Sequence, residues 1–322
     1  MPELPEVETV RMGLQRLIVG KTIFEVTFDW PKGFPNTKTD VDAFLVGSTI
    51  KDIRRRAKVL LIDLSTNYTL VIHLKMTGQL VFVGQKQVLR SQSSYLGELP
   101  GRGSKIKDQR SKIDRWGAGH PNDSLVGILP DKSTRVTFTF RDGSRLFFND
   151  QRKFGWVRLM PKVEVENLDF FKKVGPEPLS GLFTPDVFEA RMMRRKNSGV
   201  KAALLDQTVL AGIGNIYADE SLWGAKIHPE TRVQNISKAK IKLLHSEIQY
   251  VLRLSIEKGG STDRNYVNAE GKKGSYIDFA RVFRRERLPC PRCGTTIIKT
   301  RVAGRGTHTC PKCQGLGLSA ES

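Results

Sequence analysis

Val7, Val10, Leu14 and Leu17 recur at intervals of three and four, which predicts an amphipathic helix over residues 3–18. Pro2 then falls at the first helical position, where proline is favoured. The hydrophobic period next falls to two. β-Branched and apolar runs with short polar breaks predict strands at 22–30, 49–54, 59–64, 69–74 and 80–83. Val136, Phe138 and Phe140 share one face of a strand at 135–140, Asp142-Gly143 signals a hairpin, and 145–148 returns. Residues 85–123 lack periodicity and predict an exposed insertion. Beyond Pro161 the spacing is helical. Thr184-Pro185-Asp186 opens a helix at 187–196, short helices follow at 200–206 and 215–223, and a stripe from Ile241 through Leu244, Ile248 and Val251 marks a long helix at 237–258, stopped by Gly259-Gly260. A Gly/Ser-rich loop spans 261–282. The pattern predicts an α+β, multidomain chain: a β-sandwich-like N-terminal part with a leading helix (2–160), a helical part (161–260), a linker (261–282) and a cysteine-bearing tail (283–316).

Composition adds a partner. Of 322 residues, 53 are Lys or Arg and 33 are Asp or Glu, a net charge of +20. That excess predicts a polyanion, bound with counterion release. No apolar run is long enough for a membrane span, and the acidic N-terminus is no signal peptide, so a cytoplasmic protein without a membrane partner is expected. All four cysteines lie in Cys290-Pro-Arg-Cys293 and Cys310-Pro-Lys-Cys313. Two C-x2-C pairs match a structural zinc site of four thiolates. Two disulfides are the alternative, and His308 is a rival fourth ligand.

The chain begins Met1-Pro2-Glu3-Leu4-Pro5-Glu6-Val7-Glu8. Without Met1, Pro2 is a secondary amine that can attack a sugar carbon and form an iminium. The positive end of the predicted helix favours the unprotonated amine, and an ordinary α-amino group already titrates near ~8. Gly212-Ile213-Gly214-Asn215 precedes a helix and lacks the third glycine of a dinucleotide loop. Its glycines and the helix N-terminus suit anion capture.

Five separated motifs resemble the formamidopyrimidine-DNA glycosylase family, over nearly the whole chain. They are the N-terminal string, Arg56-Ala57-Lys58, His73-Leu74-Lys75-Met76-Thr77-Gly78, Asn149-Asp150-Gln151-Arg152-Lys153-Phe154-Gly155, and Gly212–Glu220 together with the cysteine tail. The resemblance implies a helix–two-turns–helix DNA-binding region within 161–260, a lesion-capping loop within 261–282 and a zinc-finger β-hairpin within 283–316. It implies Pro2 as nucleophile, Glu3 as acid–base group and Lys58 as the essential lysine. Glu6 would support the lesion pocket, or simply complement the helix dipole. Met76 would fill the hole left by a flipped nucleotide, Arg152 would bond the orphan base, and Phe154 would wedge between base pairs. Ordinary core packing is the alternative for Met76 and Phe154. His73, Lys201, Asn215 and Arg305 would contact phosphates, His73 being equally readable as an internal histidine. One departure is Thr309, where the family carries an aromatic residue or isoleucine before the third cysteine.

What this implies is a monomeric bifunctional glycosylase and abasic-site lyase. It would excise 8-oxoguanine and formamidopyrimidines from double-stranded DNA by β,δ-elimination, with one structural zinc ion. An endonuclease VIII-like enzyme for oxidised pyrimidines is the alternative, which Leu4 disfavours. So is a noncatalytic damage-binding protein, which the joint presence of Pro2, Glu3 and Lys58 disfavours.

Overall fold

The computed structural model describes residues 2–85, 115–120, 123–261 and 276–315. Helix α1 spans Leu4–Ile18 and is capped by Glu3, whose backbone is extended. The Glu3 N–H donates to the Glu6 carboxylate three residues on, at 2.8 Å, which satisfies an N-terminal donor and starts the helix after Glu3. Pro2 therefore stands outside the helix, not at its first position, and Pro5 is the proline of the first turn.

The apolar stripe of α1 packs on two antiparallel sheets. One orders β1 (Ile23–Phe28), β7 (Thr134–Phe140), β8 (Arg145–Asp150), β5 (Gly78–Val83) and β6 (Arg115–Gly119); the other orders β2 (Ile50–Arg56), β3 (Val59–Leu64), β4 (Tyr68–His73) and β9 (Trp156–Pro161). Val10, Leu14, Ile62, Leu70, Leu80, Phe138 and Phe148 share the core between them, as a sandwich requires. A short helix α2 (Lys38–Phe44), capped by Thr37 and Asp40, joins β1 to β2.

The expected insertion at 85–123 is narrower than its pattern suggests. Its end is strand β6, paired with β5 from Gln79–Gly119 to Val83–Arg115. Trp116 slides beneath α1, where a Cβ on Gly13 would fall 2.1 Å from the indole. An Arg-Trp-Gly-Ala-Gly strand carries no alternation, because glycine is depleted from strands and erases the period. Residues 86–114 lie outside the described residues.

Besides the one through α2, two short connections cross between the sheets. Residues 74–77 lead from β4 to β5, and 151–155 lead from β8 to β9. The Gly78–Asp150 and His73–Trp156 pairs set them side by side.

The helical part holds α3 (Asp169–Lys173), α4 (Pro185–Met193), α5 (Val200–Leu205), α6 (Asn215–Gly224) and α7 (Lys238–Glu257). Thr184 and Ser237 cap α4 and α7 through Val187 N–H and Lys240 N–H. Phe188, Leu204, Tyr217, Leu244 and Ile248 form the second core. A hairpin of β10 (Ile298–Val302) and β11 (Arg305–Thr309) turns at Ala303-Gly304, both at positive φ (49° and 73°), the geometry of a two-residue hairpin. Among the described residues, no helix is long and apolar enough to cross a membrane.

Candidate active site and DNA interface

The N-terminus is docked onto the loop before α6. Leu4 N–H donates to the Gly212 carbonyl at 3.0 Å. Gly212 has φ +80° against the Leu4 side chain, and a Cβ on Gly214 would lie 2.3 Å from the Glu3 carboxyl carbon. The glycines thus admit Glu3 itself. Its Oε1 accepts from Ile216 N–H at 3.0 Å at the N-terminus of α6. The anion seated on that helix end is Glu3, where the sequence pattern suggested a phosphate. Gln207 fixes the loop, donating to Ile213 O and accepting from Gly212 N–H at 2.8 and 2.9 Å.

Glu3 is buried, and burial pushes its carboxyl up to about 7 against the lowering charge of Lys58 and the α6 amides. Its Oε2 is buried and has no hydrogen-bond partner among the described residues. A carboxyl poised near neutral pH can both give and take a proton. Lys58 is also buried, and its Nζ donates to Ile213 O across the two halves at 2.8 Å. Burial lowers its pKa, with Glu3 opposing. The turn that delivers Lys58 passes through Ala57 at φ +52° and is clasped by Glu177, which accepts from Ala57 N–H and Arg56. Glu6 joins the same centre. Its Oε1 accepts from Tyr217 Oη at 2.6 Å and from Ser261 N–H and Oγ at 2.8 Å.

A cleft of about 660 Å³ brings Pro2, Glu3, Glu6, Lys58, Met76, Asn215 and Arg305 together. His73, Arg152, Phe154 and Lys201 do not line it. Arg152 and Phe154 stand on the neighbouring crossing, the guanidinium 4.6 Å from the ring centroid, with Phe154 51% exposed. Asp150 welds the two crossings: Thr77 Oγ1 and Arg152 N–H donate to Oδ1, and Gly155 N–H to Oδ2 at 2.7 Å. That carboxylate stood in a quoted motif with no role attached, because only the sheet register reveals that it faces Thr77. His120, Phe283 and Arg284 also line the cleft and carried no sequence signal.

His73 accepts Lys75 N–H at Nδ1, 2.9 Å, so the ring proton sits on Nε2 as a donor. Burial and the Lys75 and Lys58 charges hold its pKa down to about 3, leaving it neutral. Lys201 corrects the expectation of a phosphate contact. It is fully buried, paired with Asp219 at 2.6 Å, and donates to Thr307 Oγ1 at 2.6 Å. Its reach is into the hairpin, not toward solvent. Asn215 likewise donates to Gly306 O at 2.9 Å, beside Arg305.

The four cysteine sulfurs lie within 4.8 Å of one another, with contacts of 3.5–3.9 Å. A zinc tetrahedron with bonds of ~2.3 Å has edges of about 3.8 Å, so the thiolates fit one ion. All four cysteines are free, which rules out the disulfide alternative. His308 is no ligand: its Nε2 lies 3.1 Å from Glu286 and its N–H donates to Asp219. Thr309 is buried beside Cys310.

Fold and cleft define a DNA glycosylase: a β-sandwich, a helical region and a zinc hairpin, with Pro2 and Glu3 lining the cleft. The Formamidopyrimidine-DNA glycosylase N-terminal domain model matches residues 1–157, its H2TH domain model residues 174–266, and a zinc finger found in FPG and IleRS residues 287–315. The chain is 41% identical over 317 residues to a formamidopyrimidine-DNA glycosylase of Streptococcus pyogenes and 39% identical over 321 residues to one of Enterococcus faecalis, covering 98% of both chains in each case. It superposes on the Lactococcus lactis Fpg bound to abasic-site DNA with TM-score 0.78 at 32% identity, covering 97% of this chain and 99% of that one. A MutM complex with carbocyclic 8-oxo-G DNA gives 0.77 at 32% identity, covering 98% and 100%. The chain belongs to the formamidopyrimidine-DNA glycosylase family.

Proposed function

We propose that this protein, acting as a cytoplasmic monomer, excises oxidised purines from duplex DNA through Pro2, once Met1 is removed. The Pro2 nitrogen attacks C1′ of the flipped nucleotide, and the bond from C1′ to the base breaks as the amine's proton passes to the departing base. Glu3 protonates the ring oxygen as the sugar opens to an iminium. Loss of a C2′ proton expels the 3′ phosphate, and a second elimination expels the 5′ phosphate. Hydrolysis then frees Pro2. Lys58 steadies the reacting nucleotide, and Glu6 holds the N-terminal segment from behind. Met76, Arg152 and Phe154 fill and brace the vacated stack. His73, through its Nε2–H, and Arg305, with Asn215 beside it, take backbone phosphates. Residues 2–160 act as the catalytic part, 161–260 as the DNA-binding part, and 283–316 as the zinc-held hairpin that carries Arg305.

The observation that carries this reading is the Glu3 carboxyl, held by Ile216 N–H in the cleft that Pro2 and Lys58 also line and pushed upward by burial. Borohydride trapping on a duplex with one 8-oxoguanine opposite cytosine tests it. A covalent adduct is expected from the processed, zinc-loaded protein, absent with Pro2→Gly and strongly reduced with Glu3→Gln. No adduct from that parent protein would overturn the proposal.

A further inference from the structure

Trp223, near the end of α6, is buried and packs with Val282, Ile297 and the two buried cysteines, Cys290 and Cys310. Phenylalanine would fill much of that space. An indole brings in addition an N–H, which needs an acceptor once it is buried. Here the acceptor is sulfur: Trp223 Nε1 donates to Cys290 Sγ at 3.4 Å. Arg292, between the first two cysteines, holds the ring to that bond. Its guanidinium lies 3.8 Å from the ring centroid and donates to the Trp223 and Gly224 carbonyls at 3.1 and 3.3 Å, the orphan acceptors at the C-terminal end of α6. Arg281, fixed by Glu220 and Glu247, stands 4.9 Å from the same centroid. Two cations over the ring draw electron density from it and sharpen its N–H as a donor. The helix end and the first cysteine pair thus grip each other through two backbone carbonyls and one zinc-binding sulfur. A metal-bound thiolate is anionic, so the bond it accepts is charge-assisted. The helix held in this way is the one whose first turn seats Glu3 through Ile216 N–H.

We propose that Trp223 is a positioning residue for the zinc site: its indole N–H holds the Cys290 thiolate, so the C-terminal end of α6 sets how tightly zinc is kept. This rests on zinc as the ion of the four thiolates. A partner of this kind orients a ligand from outside the coordination shell and strengthens the hold on the metal.

The test compares the parent with Trp223→Phe, which keeps a buried ring and removes the N–H. The zinc-loaded full chain is titrated with a competing chelator of known affinity, and the cobalt-loaded chain is read by its thiolate-to-cobalt charge-transfer absorption. The variant should hold zinc roughly 10–100-fold more weakly. Its charge-transfer band should move to lower energy, because the sulfur electrons lose the hydrogen bond that stabilised them. A ring that only packs would leave that band where it is. Unchanged zinc affinity, with or without a shifted band, would overturn the inference. So would weaker zinc binding with an unmoved band, or with a matching loss of helix by circular dichroism, because the indole would then serve packing alone. A parent chain that keeps no zinc against the chelator would instead defeat the zinc reading beneath it.

Discussion

At the sheet crossings the groups held outward are apolar. Met76 and Phe154 are 37% and 51% exposed, and the residue that fixes them is Asp150, fully buried and accepting only from neutral donors. At the hairpin the group held outward is a cation, Arg305, and the anchor beneath is a Lys201–Asp219 ion pair with both side chains fully buried. Both regions use a buried carboxylate to aim an exposed side chain. They differ in how that carboxylate is compensated. Asp150 trades water for amides and a hydroxyl, a cage local to two short loops. Asp219 is compensated by a charge from α5 and by His308 N–H from β11, so its loss reaches three elements at once. The difference predicts how far damage should spread: locally at the crossings, globally at the hairpin.

The largest effect is expected from Lys201→Met. It leaves the Asp219 charge buried without its partner, a change that costs about 3–5 kcal/mol. Urea denaturation measures it. Adding Asp219→Leu should recover more than half of the loss, since an apolar pair removes both desolvation penalties. A single-variant cost under about 1 kcal/mol would show the pair to be hydrated and would dissolve the contrast.

Asp150→Ala comes next. It strands Thr77 Oγ1 and the Arg152 and Gly155 amides, at about 1–3 kcal/mol for a buried group left unsatisfied. Both crossings lose their common tie, so turnover on 8-oxoguanine duplex should fall roughly 10–100-fold, the cost of an ångström of misplacement. If stability falls as far as in Lys201→Met, the cage is not local and the comparison breaks.

How much of this could be read from the chain follows the range of the interactions. The zinc thiolates come as two close pairs, and α1 repeats its apolar residues every turn, so both are visible in short windows. The strands with β-branched alternation were visible too. β6 was not, because Trp116-Gly117-Ala118-Gly119 has no alternating face, and its place is set by packing under α1. Glu3 was singled out by the N-terminal string, yet its seat on Ile216 N–H joins residues 213 apart. The buried charges were the hardest. Lys201, Asp219 and Glu220 look like solvated polar letters until the helices that carry them are packed, and the phosphate contact expected of Lys201 came from the family resemblance alone.

The smallest effect on stability, and the one that sharpens the contrast most, belongs to Phe154→Ala. A half-exposed ring on a turn that Asp150 already holds contributes little to the fold, and its stacking on Arg152 is worth about 0.5–1 kcal/mol at an exposed site. Denaturation should therefore move by no more than about 1 kcal/mol. Turnover on a lesion in duplex DNA should nevertheless fall at least about tenfold, because an unstacked step must be propped while the base is out. Leu182→Ala supplies the control. Leu182 is 85% exposed but does not line the cleft, so its loss should change neither quantity. If Phe154→Ala instead lowered stability by 3 kcal/mol or more, the range for removing a core aromatic ring, the crossing would be a packing element and Asp150 would be holding a core.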